Sequence, residues 1–369
     1  MSDKRRQQYS HGGGHHKRRQ RPHNKHLYLV LDDWDKGFTI HKIDADSFFH
    51  SDDDDDDSSA ARHLPEPPAL RLEPPVGRDP GHGDVSFAAL GTKIFAFTNQ
   101  RCGLAYDAET GGLSMGAHAP AQMVCGFSAS IAVGEVLYML TYRYFDKQQP
   151  LSFDAMSWAP TSPDARQHPT EGWTWKTLPP PAFHSCVHSY ALHPNGHTIF
   201  MTSSDDQGRM GTYSFGTVDC AWRFHGRWVL PFDGQGHFDG ELDAWVGLHR
   251  DGYICACQVI SPSFKSTAPC FYPDCKMTRE DMLAKKSMTA TLTYMGATKF
   301  CLVECAPAKN LEKRRSAYGS HDGCVIHLTM FGLKYNHKGE LQITAHHRST
   351  RSFLVSRHRD TFVPHAFSM

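Results

Sequence analysis

One hairpin pattern recurs along this chain: a short strand of small residues, a turn built on glycine, then a second apolar strand. Phe87-Ala88-Ala89-Leu90 passes through Gly91-Thr92 into Lys93-Ile94-Phe95-Ala96-Phe97. Ser130-Ile131-Ala132-Val133 passes through Gly134-Glu135 into Val136-Leu137-Tyr138-Met139-Leu140. Ser189-Tyr190-Ala191-Leu192 leads through Asn195-Gly196 into Thr198-Ile199-Phe200-Met201, and Leu292-Thr293-Tyr294-Met295 through Gly296 into Lys299-Phe300-Cys301-Leu302-Val303. Tight hairpin turns require positive φ, which glycine and asparagine adopt at least cost. From Gly91 to Gly134 is 43 residues and from Gly134 to Gly196 is 62, bracketing the roughly 40–50-residue repeat of propeller blades.

Each of the first three hairpins is followed by a third strand with an aromatic and a Trp or Leu: Tyr106 to Leu113, Phe153 to Trp158, and Tyr213 to Trp222. Proline-rich exits follow at Ala119-Pro120, Leu178-Pro179-Pro180-Pro181 and Leu230-Pro231. A degenerate fourth unit carries Phe238-Asp239-Gly240-Glu241-Leu242 and Tyr253-Ile254-Cys255-Ala256-Cys257. The expectation is an all-β chain, a β-propeller of five or six blades over residues 27–363. A pair of β-sandwiches explains the strands but not the repeated aromatic–Asp–x–x–Ser/Thr signature. The strand pair from Leu27 to Ile43 is expected to complete a blade with C-terminal strands such as Gln342 to Thr344 and Arg351 to Val355. One helix signal stands out, with Thr278-Arg279-Glu280-Asp281 capping Met282 to Lys286.

Outside the strands, composition shifts sharply. Residues 1–26 read as a disordered basic tail, unable to bury a core. Its clusters Lys4-Arg5-Arg6 and Lys17-Arg18-Arg19, with Arg21, have the spacing of a bipartite nuclear-import signal, which makes an import carrier a candidate partner. His11, His15 and His16 lie in the same floppy segment and make a poor metal site. The acidic run Asp52 to Asp57 lies within a surface loop over 51–59, with no glycine to turn a calcium loop. A second insertion spans 147–170.

The 39 basic and 39 acidic residues cancel, leaving no long-range field, so no specific nucleic-acid binding is expected. No run approaches the roughly 18 apolar residues of a membrane span; Ser130 to Phe145 is broken by Glu135 and Arg143. The N-terminal segment lacks the apolar stretch of a signal peptide. Eleven cysteines without framework spacing suit reduced thiols, so a cytoplasmic or nuclear location is expected.

Three constellations of cysteine and histidine bear on chemistry. Cys255-x-Cys257 places two thiols on one strand face, and Cys270 and Cys275 follow, but Cys-x-x-Cys knuckles are missing. Cys301 and Cys305 again share a face, with apolar filling the default. His184, His188, His193 and His197 lie close together near Cys186, as exposed strand-end residues rather than a catalytic set. No Gly-rich phosphate loop, Gly-x-Ser-x-Gly elbow or His-Glu-x-x-His is present. The sequence therefore assigns no catalytic, cofactor-binding or metal-ligating residue.

Tyr106-Asp107-x-x-Thr110, after its glycine-turn hairpin, resembles a kelch repeat, with Gly111-Gly112 displaced to the far side of the strand. Leu31-Asp32-Asp33-Trp34, Phe238-Asp239-Gly240-Glu241-Leu242-Asp243-Ala244-Trp245-Val246-Gly247-Leu248 and Tyr294-Met295-Gly296-x-x-Lys299-Phe300-Cys301-Leu302-Val303-Glu304 extend the likeness. As a set they resemble a grass-protein family, a domain of unknown function with kelch-like, galactose-oxidase-like propellers. The resemblance implies fold and plant origin and carries no catalytic residues. The copper oxidases among such propellers need Tyr and His ligands and a modified Tyr–Cys pair, and no spacing marks those here. The functional expectation is a non-catalytic protein-interaction scaffold. The alternatives are an adaptor for ubiquitin ligation that recruits a separate F-box component, and a propeller enzyme.

Overall fold

The computed structural model describes residues 25–32, 37–50, 62–73, 85–98, 101–116, 118–120, 127–142, 151–160, 171–265, 273–283, 289–307, 324–355 and 363–369. Strands β1 (His26–Asp32), β2 (Phe38–Asp44) and β3 (Leu70–Leu72) come first, with a four-residue helix α1 (Ser47–His50) between the last two. Next come β4 (Val85–Leu90), β5 (Lys93–Thr98), β6 (Gly103–Asp107) and β7 (Leu113–Met115), then β8 (Ala129–Val133), β9 (Val136–Tyr142), β10 (Leu151–Pro160) and β11 (Glu171–Thr177). β12 (Ser189–Leu192), β13 (Thr198–Ser204), β14 (Met210–Gly216) and β15 (Ala221–Gly226) precede β16 (Asp233–Asp239), β17 (Ala244–Leu248), β18 (Ile254–Gln258) and β19 (Cys275–Met277). β20 (Thr289–Gly296), β21 (Lys299–Pro307), β22 (Cys324–Tyr335), β23 (Leu341–Val355) and β24 (His365–Ser368) complete the order.

These strands form antiparallel meanders of four, all from consecutive strands except one. The exception is β24-β1-β2-β3, in which Leu27 faces Ser368 and Val30 faces His365. The glycine turns act as the sequence predicts. Gly91 and Gly134 both have φ of 58°, closing two-residue hairpins between Leu90 and Lys93 and between Val133 and Val136. The β20–β21 turn extends the positive φ beyond Gly296, at 82°, to Ala297 and Thr298 at 49° and 59°.

Large apolar side chains fill the spaces between neighbouring meanders. Phe153, Phe215, Tyr138 and Trp222 meet between the β8–β11 and β12–β15 sheets, with Phe153 and Phe215 edge-to-face at 4.9 Å. Phe200, Trp228, Phe232 and Trp245 fill the next space. Leu27, Leu29 and Leu31 of β1 pack against Val303, Ile326 and Leu328, so the last consecutive meander buries one face against the first.

Consecutive first strands touch from β4 through β8, β12, β16 and β20 to β24, the strand that takes first place beside β1. Gly236 of β16, paired with Ala191 of β12, has no room for a side chain because a Cβ there would fall 2.3 Å from the Phe232 ring of its own segment. Polar links join these strands edge to edge. β12 and β16 share a parallel ladder, Ser189 to Ala191 against Gly234 to Gly236. His237 of β16 bonds the Leu292 carbonyl of β20 at 3.1 Å, while Thr291 and Thr293 of β20 donate to the carbonyls of Pro364 and Ala366.

Asp239 extends this stitching to the turns. Its carboxylate is 1% exposed and accepts from the Glu241 and Leu242 N–H groups of its own turn through one oxygen. The other oxygen accepts the Tyr294 hydroxyl at 3.0 Å and the Thr298 N–H at 2.9 Å, across in the next meander.

Several sequence expectations are corrected. Gln342 to Val355 belongs to β23 and pairs with β22, and β1 is joined by β24, which lies beyond residue 363. The C-terminal stretch His365 to Ser368 is too short and too mixed to read as a strand until its partner is known. Thr278 to Leu283 is not helical: Thr278 Oγ1 accepts from the Ile254 N–H, and Met282 N–H donates to the Gly252 carbonyl, so the segment seals the β17–β18 turn. The lone helix among the described residues is α1, pinned by Arg351, whose guanidinium lies 4.2 Å from the Phe48 ring and donates to Ser47. Within the expected 147–170 insertion, 151–160 is strand β10, paired to β9 and β11. The basic tail through residue 24 and the acidic run lie outside the described residues.

Because Asp239 satisfies donors in two meanders while buried, Asp239→Ala strands the Tyr294 hydroxyl and Thr298 N–H. We expect a stability loss of about 3 kcal/mol in urea unfolding followed by tryptophan fluorescence. A loss under about 1 kcal/mol would mean the carboxylate does not staple the turns.

Candidate functional site

The first strands enclose a cavity of about 520 Å³, with walls from β4, β8, β12, β16, β20 and β24. A volume of that size lies within the usual range for small-ligand pockets, roughly 300–1,000 Å³. Side chains on a strand alternate between faces, so each first strand offers every second residue to one side. Aromatic walls come from Phe87, Phe127, Tyr190, Tyr294 and Phe367. Asp233, with Gly234, is exposed at the start of β16, and Gln235 and His237 follow it along the wall.

Two histidines sit in this wall. His237 and His365 are each partly open to the cavity but enclosed by protein, and burial holds both down to about 4. The Leu292 carbonyl facing His237 Nε2 works against that drop without reversing it. Since a carbonyl can only accept, Nε2 carries the proton and Nδ1 of the neutral ring carries a lone pair. His365 stacks on Phe367 with rings 2° apart and lies 6.1 Å from Phe87. Burial also pushes Tyr190 up to about 12, partly offset by the Ser130 backbone. Tyr294 rises to about 12 through burial first and then its bond to Asp239.

The cysteines expected as filler are buried or half-buried. Cys255 and Cys257 are fully buried on β18, and Cys257 faces Cys275 across to β19. The Cys255 thiol is pushed up, first by its hydrogen bond with Cys275 and then by burial, and burial pushes Cys257 up as well. Metal ligation requires thiolates, and these surroundings favour thiols. Cys301 and Cys305 share the core between β20–β23 and β1, beside Cys324. Among the described residues no three His, Cys, Asp or Glu side chains are placed to hold a metal. Cys270, and the import-like Lys4, Arg5, Arg6, Lys17, Arg18, Arg19 and Arg21, lie outside the described residues.

His184, His188 and His197 are exposed, whereas His193 is half-buried, 6.2 Å from the Trp245 ring, and burial lowers its pKa. One further pair, missed from the sequence, has the outline of a nucleophile and base: Ser214 Oγ lies 2.7 Å from His225 Nε2, with His225 Nδ1 2.6 Å from the Phe264 carbonyl. Ser214 is 0% exposed and His225 1%, so no substrate reaches the hydroxyl. The cavity histidines were also missed. For His237 a signal lies in the degenerate fourth unit, whose first strand it occupies, combined with the alternation of side chains along a strand; for His365 the sequence holds none, because β24 is legible only once its partner is known.

The model of one family, described as a protein of unknown function, DUF1668, matches residues 24–351. The chain belongs to that family. No curated protein matches this DUF1668 chain. Among solved structures it is similar to TolB from Acinetobacter baumannii, with 10% identity and a TM-score of 0.48, covering 93% of this chain and 66% of that one, just under two thirds. It is also similar to a TolB-type protein from Agrobacterium tumefaciens, with 8% identity, a TM-score of 0.39, and coverage of 94% and 97%. The DUF1668 chain is thus all-β with TolB-like propeller neighbours. No helix among its described residues is long and apolar enough to cross a membrane.

The cavity histidines of the DUF1668 chain give its stability a definite pH dependence. Both are neutral when folded above pH ~4 but protonate near 6.5 when unfolded, so the unfolded chain binds more protons in that window. Stability from these groups is complete above about pH 6.5 and falls as pH drops toward 4, by about 1.4 kcal/mol per pH unit for each. Urea midpoints measured from pH 4.5 to 7.5 should show a shallower slope in the His237→Gln, His365→Gln double variant. An unchanged slope would rule out this assignment.

Proposed function

We propose that the chain is a non-catalytic protein-interaction scaffold, built as a kelch-like propeller of six blades that β24 closes onto β1. The packing of β1 against the β20–β23 sheet supports the closure. In this reading the first strands run in one sense, as β12 and β16 do, so first-to-second and third-to-fourth connections share one end.

The observation that carries the proposal is a set of exposed large apolar side chains at that end. Leu113 at the start of β7 is 51% exposed, Trp158 near the end of β10 is 55% exposed, and Val218 in the β14–β15 turn is 80% exposed. Three successive meanders therefore each present a large apolar side chain at this end. Clustered exposed apolar groups, aromatics above all, mark protein contact surfaces, and a sheet frame holds such positions in fixed geometry. The burial of the Ser214–His225 pair and the protonated state favoured at Cys255 and Cys257 support a role without catalysis. The free thiols among the described cysteines support a cytoplasmic or nuclear setting.

The test compares partners captured by the tagged chain and by its Trp158→Ser, Val218→Asp variant. Proteins held through this face should fall at least tenfold, with the melting temperature within about 2 °C of wild type. An identical captured set would sink the assignment of this face.

A further inference from the structure

The cavity between the first strands carries a second binding role, separate from the outer surface. Among the described side chains that line it Asp233 is the only carboxylate, no Lys or Arg joins it, and it lies exposed where β16 begins. Four residues along the same strand, His237 gives its Nε2 proton to the Leu292 carbonyl, leaving Nδ1 as an acceptor without a partner among the described residues. Both groups therefore call for donors from a ligand. An extended strand rises about 3.3 Å per residue, so the two lie on the order of 13 Å apart, less the shortening from the register shift between them. Between them the walls are aromatic, from Phe127 and Tyr190 on one side to Tyr294 and Phe367 on the other.

We propose that this cavity binds a small hydroxylated arylalkylamine, its ammonium on the Asp233 carboxylate, its ring against the aromatic wall and its hydroxyl donating to His237 Nδ1. An ammonium and a phenolic hydroxyl at opposite ends of a phenethyl body are about 8 Å apart, and a hydrogen bond of about 2.8 Å at each end completes the span. The aromatic faces favour the cation further. A carboxylate of the same shape meets the Asp233 charge at the mouth and finds no Lys or Arg among the described lining residues to receive it. The proposal does not depend on the scaffold reading, since the cavity and the Leu113–Trp158–Val218 surface are different parts of the fold.

Tyramine, phenethylamine and 3-(4-hydroxyphenyl)propionate separate the contributions in isothermal titration calorimetry on the full chain. Tyramine should bind saturably, phenethylamine about tenfold more weakly for want of the hydroxyl, and the propionate not measurably. Asp233 is exposed and makes no contact on which folding depends here, so Asp233→Asn should fold and weaken tyramine by about tenfold or more. Equal binding of the amine and the carboxylate would overturn the proposal. So would tyramine affinity unaltered by Asp233→Asn, or no saturable tyramine binding up to about 10 mM, the weak end of specific recognition.

Discussion

A strand at the edge of a sheet leaves a row of backbone groups unpaired, and here every four-stranded meander turns one such edge toward the same place. The rest of the architecture follows from how those inner edges are satisfied. Between β12 and β16 the backbones meet in a parallel ladder. Elsewhere side chains do the work: His237 reaches the Leu292 carbonyl, and Thr291 and Thr293 reach β24. The cavity lies among these inner edges. His237 remains neutral in this arrangement because burial outweighs the Leu292 carbonyl's preference for the charged ring.

Much of the frame was legible in the sequence, because it depends on local rules. The four hairpins read from small-residue strands and glycine turns are β4–β5, β8–β9, β12–β13 and β20–β21. Turn chemistry acts within four residues and needs no knowledge of the rest of the chain. What failed was whatever depended on distant partners. Thr278 to Asp281 has the composition of a helix cap, yet its hydroxyl and backbone are engaged by Ile254 and Gly252. A capping signal states which donors a residue can satisfy, and here the donors belong to a sheet turn.

The aromatic–Asp motif shows the same limit more sharply. Asp107 ends a third strand and holds the N–H groups of Glu109 and Thr110. Asp154 lies inside the third strand β10, fully buried, accepting from Ser152 and Thr177. Asp239 ends a first strand and reaches into the next meander. Three similar strings thus perform three different tasks. The cavity was invisible for a related reason: Asp233, His237, Tyr294 and His365 are scattered over more than 100 positions, and only their placement on first strands unites them.

The pairing of β24 with β1 also bears on the order in which the chain can assemble. Leu27 and Ser368 are neighbours although about 340 positions separate them, and His26 and Met369 exchange backbone hydrogen bonds. Every other sheet is built from strands close in sequence and can form as soon as its own residues are free. The sheet containing β1 cannot, because its inner strand comes from the far end of the described chain. Until then β1 exposes an unpaired edge beside leucines that belong in a core, so a nascent chain stalled before residue 365 is a species in need of protection.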